Sequence, residues 1–87
     1  MRRVDQLISE IKELRQQATY KSALRVFQLL DNNKNLFLEK IESDTFRFFL
    51  TGFSELSEAS AATSQSPSFK REYDKLFETL LFHLNRV

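Results

Sequence analysis

Apolar side chains recur along this chain at helical spacing, and short polar stretches between them mark the breaks. Over residues 4–17, Val4, Leu7, Ile8, Ile11 and Leu14 follow the i, i+3, i+4, i+7 pattern of one helix face. Asp5 near the start and Arg15 near the end suit the partial charges of helix termini. A turn is expected at Gln16-Gln17-Ala18, with Thr19 as the cap of a second helix over 20–30. Tyr20, Ala23, Leu24, Phe27 and Leu30 make its stripe, with Val26 beside it. Asp31-Asn32-Asn33 is a polar break that ends this helix and starts the next near Lys34.

The third segment is less regular: Leu36, Phe37, Leu38 and Ile41 fall on more than one face. Ser43-Asp44-Thr45 is a further candidate cap, for a helix over 44–59. Whether 34–43 and 44–59 are one bent helix or two stays open. In the fourth segment Phe46, Phe49, Leu50, Phe53 and Leu56 share a face, and Phe48 points to the other side. Residues 60–65 are small, polar and aperiodic and read as a loop. Ser66-Pro67 then starts a fifth helix over 67–85, with Ser as cap and Pro at the first helical position. Phe69, Tyr73, Leu76, Phe77, Leu80, Leu81 and Leu84 keep helical spacing through it, and Val87 extends the stripe. No strand alternation is visible. The expected fold is all-α: one domain spanning residues 1–87, a bundle of four to five helices with mostly antiparallel neighbours.

Composition narrows the functional classes. The chain has 87 residues, no Cys, one His, one Gly and nine Phe. Without Cys there is no disulfide framework, thiolate metal site or cysteine nucleophile. One Gly leaves no material for a Gly-rich phosphate loop. The net charge of +1 argues against a nucleic-acid binder held by phosphate contacts. Apolar runs stop at three residues, so neither a membrane span nor a signal-peptide core is expected, and the chain reads as intracellular, cytoplasmic or nuclear. Charge is uneven: residues 1–30 carry six basic and three acidic groups, 31–66 three basic and six acidic, and 67–87 four basic and three acidic.

Candidate chemistry is sparse. His83, beside Phe82 and Leu84 on the last helix, reads as a boundary histidine favoured near a helix C-terminus. Glu39, Glu42 and Asp44, and the pair Glu55 and Glu58, read as solvated acidic faces, because no Glu-x-x-His pair accompanies them. No metal, cofactor, small-molecule substrate or catalytic residue is expected. Arg2, Arg3, Lys12, Arg15, Lys21 and Arg25 give the first two helices a basic lean, diluted by Asp5, Glu10 and Glu13. A small DNA-binding regulatory domain is the weakest of the readings kept. Ser66-Pro67 has the form of a proline-directed phosphorylation site as well as of a helix start.

The region from Leu36 to Leu56 holds more apolar side chains than one buried face needs. Gly52 inside its helix costs roughly 1 kcal/mol relative to Ala and lets another helix come close. Either the fourth helix is buried on most sides, or Phe48, with part of Leu36–Leu38, lies on an exposed apolar patch. The second alternative gives the leading functional expectation. This is a non-enzymatic protein–protein interaction module, an adaptor or scaffold, docking a partner helix through Phe37, Phe46, Phe48 and Phe53. The alternative is self-association, in which the long stripe from Phe69 to Leu84 pairs with its own copy.

One resemblance points the same way. The spacing of Tyr20, Ala23, Leu24 and Phe27 resembles the second helix of a tetratricopeptide-type hairpin, over about a dozen residues. It implies a peptide- or protein-binding scaffold. Ile11 stands where that family packs a small residue, and no second repeat is visible.

Overall fold

The computed structural model describes residues 4–85, the side chain of Val4 excepted; Met1, Arg2, Arg3, Arg86 and Val87 lie outside the described residues. Helix α1 (Val4–Gln17) carries Asp5 in its first turn and Arg15 in its last, and buries Leu7, Ile11 and Leu14. It stops where Ala18 takes a left-handed backbone (φ 47°), so the turn falls one or two residues later than its expected place. Thr19 caps α2 (Tyr20–Asn32) as expected. Its hydroxyl accepts from the Ser22 N–H at 3.1 Å, and the Ser22 hydroxyl accepts from the Thr19 N–H at 3.0 Å.

Helix α2 runs two residues past its expected end. Asn33 alone makes the break, its side-chain amide donating to the Leu29 carbonyl at 2.9 Å. Helices α3 (Lys34–Leu38) and α4 (Ser43–Ser57) are separate. Between them the Phe37 carbonyl accepts from the N–H groups of Lys40 and Ile41 at 3.0 and 2.8 Å. The N-cap of α4 is Glu42, which makes no side-chain cap, and not a residue of the Ser43–Thr45 stretch. Asp44 lies in the first turn instead, where its charge faces the positive end of the helix dipole. The expected loop at 60–65 contains a single turn, α5 (Ala61–Ser64), capped by Ser60. Ser66 caps α6 (Pro67–Leu84): its hydroxyl oxygen accepts from the Phe69 N–H at 3.2 Å, and Pro67 follows at the first helical position.

The four long helices form a closed ring in which α1 packs on α2, α2 on α4, α4 on α6, and α6 back on α1. Helix α3 bridges α2 and α4, and α5 leans on α6. Each long helix turns one face to the centre, where Leu7, Ile11, Val26, Leu30, Phe49, Phe53, Phe77 and Leu80 are fully enclosed. The radius of gyration is 12.2 Å, against about 12 Å for a folded chain of this length. The protein is thus an all-α bundle, and among the described residues it has no strand.

Two expected stripes change on packing. In α2 the buried side is Ser22, Ala23, Val26, Leu29 and Leu30, while Leu24 is 43% exposed and Tyr20 and Phe27 lie at the edge. The buried face is therefore rotated by about one residue from the most apolar line. A serine sits on it because its hydroxyl meets the Tyr73 hydroxyl at 2.6 Å from across the ring. In α6 the stripe Phe69, Tyr73, Phe77, Leu80, Leu81 and Leu84 is buried within its own chain. The expected seam for self-pairing is therefore already used, and a copy would have to displace α1 and α4 to reach it.

Candidate functional site

Helices α4 and α6 run antiparallel, as the pairing of Phe49 with His83 and of Phe53 with Phe77 shows. Phe53 and Phe77 meet edge-to-face with centroids 5.1 Å apart, which locks the inner side of the pair. On the outer side the two helices leave a groove of about 580 Å³. Its floor is Gly52, Leu56 and Leu76. A Cβ on Gly52 would stand 2.9 Å from Leu76 Cδ1, so the missing side chain is the seat in which Leu76 rests. The close helix approach expected at Gly52 is therefore made by α6.

One end of the groove is aromatic. Phe48 stands there beside Thr79, with 60% of its surface exposed. Ring contacts lead from Phe48 to Phe49, from Phe49 to His83, and from His83 to Phe82, at centroid distances of 5.7, 6.0 and 5.7 Å. Phe82 is 67% exposed. The two most exposed aromatic rings of the described chain thus belong to one connected set on α4 and α6. At the other end α5 contributes Thr63, and Ser66 and Ser68 stand with the apolar Ala59 and Phe69. Between the ends the walls carry Glu55, Glu58 and Glu72 against one cation, Lys75. The ion pairs of the described structure, Arg15 with Asp74 at 2.8 Å and Arg25 with Glu10 at 3.0 Å, lie elsewhere. Among the described residues none of the three groove glutamates has an ionic partner.

The four expected anchors separate sharply. Phe37, Phe46 and Phe53 are 1%, 3% and 0% exposed. Phe37 stacks on Phe46 with centroids 6.2 Å apart, and Phe53 faces Phe77. These three are corrected to core side chains, because no partner could touch them without opening the bundle. Phe48 alone of the four is open to a partner. Sequence reasoning passed over Phe82 and Leu76, although Phe82 stands off the buried line of α6 at helical spacing.

The remaining candidates hold structure together or face solvent. The Ser66 hydroxyl oxygen is engaged as the α6 cap, at the α5 end of the groove. His83 is half-buried in the last turn of α6 between Phe49 and Phe82. Glu39, Glu42 and Asp44 are exposed, and among the described residues no group of His, Asp and Glu is placed to hold a metal ion. On the basic side, Arg15 is bonded to Asp74, which raises its pKa above its ordinary value, and Arg25 is paired with Glu10. Among the described residues no helix is long and apolar enough to cross a membrane.

The chain was compared with protein-family models, curated proteins and solved structures, and no significant match emerged in any of the three.

Proposed function

We propose that the protein is a non-enzymatic interaction module that receives a partner helix in the α4–α6 groove, with Phe48 as the principal anchor. The observation that carries this reading is the contrast among the phenylalanines. Six of the nine are buried, yet Phe48 stands 60% exposed at the mouth of an apolar groove. Fully enclosing an aromatic ring of this size is worth about 1.5–3 kcal/mol, of which this chain alone recovers only part. Aromatic anchors seated beside such grooves carry much of the affinity of helix-in-groove complexes.

The test is a selection of helical peptides from a displayed library against the intact protein, followed by binding to Phe48→Ala. Selected peptides should bind the parent protein, perturb the amide resonances of α4 and α6, and lose at least about tenfold in affinity for Phe48→Ala. The variant should keep its helical signal and lose less than about 1 kcal/mol of stability. Enrichment of no peptide, or binding that ignores Phe48, would refute the reading. A loss of more than about 2 kcal/mol would place Phe48 in the core instead.

A further inference from the structure

Resting on that reading, we infer that the occupant of the groove is a short basic amphipathic helix, with its lysines or arginines gathered toward one end. Two features of the groove carry this.

The first is charge. Glu55, Glu58 and Glu72 face a single Lys75, and none of the three glutamates is neutralised by an ion pair within the described chain. A cationic segment gains attraction from all three, while an acidic one meets repulsion. A second copy docked by a two-fold axis through this groove would bring the same net-negative lining against it. Charge therefore selects a foreign basic segment over self-pairing.

The second is polarity along the groove. The aromatic end lies at Phe48 and Thr79, and the acidic groups lie beyond Gly52 toward α5. From Phe48 in α4 to Ala59 just past its end, this wall is twelve residues long, about 16 Å at 1.5 Å per residue. A partner helix of about three turns spans it. Its apolar stripe would meet Phe48 and Leu76, and its cations would reach Glu55, Glu58 and Glu72.

The experiment uses the intact protein and three synthetic peptides of 14 residues. All three share one leucine stripe at helical spacing, and their three variable positions near one end are all Lys, all Gln or all Glu. Affinities are read by fluorescence anisotropy at low and high salt. The Lys peptide should bind about tenfold tighter than the Glu peptide at low salt, with the Gln peptide between them. Salt should narrow the difference. Glu55→Gln/Glu58→Gln/Glu72→Gln should abolish the preference for the Lys peptide over the Glu peptide. Moving the lysines to the middle of the stripe's polar side should lose part of the gain.

Three peptides that bind equally, each weakened by Phe48→Ala, would overturn the basic partner and leave the groove reading standing. Binding of none of them, or binding indifferent to Phe48→Ala, would overturn both. A Lys preference that survives the triple substitution would place the charge recognition elsewhere and also overturn the inference.

Discussion

Tyr73 joins three helices at one hydroxyl group. It donates to the Leu14 carbonyl at the end of α1 and lies 2.6 Å from the Ser22 hydroxyl of α2, while its own backbone belongs to α6. Burial raises its pKa above the usual tyrosine value, and the bond to Ser22 opposes that rise only in part. The raised value means that the folded protein holds this proton more tightly than the unfolded chain does. The contribution is therefore present in full below the unfolded pKa of about 10, and is lost as pH rises through the higher folded value. Tyr73→Phe should cost about 1–2 kcal/mol near neutral pH, because it leaves the Leu14 carbonyl without this donor. It should also flatten the decline of stability above pH ~10 relative to the parent. Urea unfolding at several pH values measures both, and an alkaline limb of unchanged slope in the variant would count against this account.

The same scale shows what the sequence made legible. Spacing alone separates Phe48 from the line of Phe46, Phe49 and Phe53, and the structure keeps that separation. Spacing does not say which of two apolar directions meets solvent, so Phe46 and Phe53 could be mistaken for anchors. Ser22 is harder still. Its capping bonds to Thr19 are local, but its burial is not readable from them, since Tyr73, which meets its hydroxyl in the core, lies 51 residues away.

At the scale of helices, local chemistry set the breaks. Thr19 and Ser66 cap where their side chains allow, and their positions are readable from the residue types. The start of α4 is less readable, because Glu42 occupies the cap position without a side-chain bond. How helices pair also depends on single residues, and Gly52 shows it. Glycine costs α4 roughly 1 kcal/mol against alanine, yet it gives Leu76 its seat. Leu76 meets that position with the end of a flexible, half-buried side chain, which can turn aside at some cost. Gly52→Ala alone should therefore recover less than the full gain in helix propensity. In a Leu76→Ala background the same change should recover all of it, about 1 kcal/mol. A double-mutant cycle measured by denaturant unfolding gives the coupling, and equal effects in the two backgrounds would show that the two residues do not share the site.

At the scale of the molecule, the ring of four helices leaves an outer seam between α4 and α6, where charge and apolar surface coincide. The acidic bias of residues 31–66 is visible in the sequence, but Glu72 comes from the mildly basic last segment and joins Glu55 and Glu58 only through the fold. This juxtaposition bears on self-association. Phe48 and Phe82 offer apolar surface to a second copy, while the three glutamates oppose a two-fold approach through the groove. The protein should therefore be monomeric at low ionic strength by light scattering over a tenfold range of concentration. Glu55→Gln/Glu58→Gln/Glu72→Gln should raise the weight-average mass at the highest concentration, and adding Phe48→Ala should restore the monomer. A parent protein that dimerises at low salt would mean that the apolar surplus is already covered by its own copy, and the case for a foreign helix would then lose its ground.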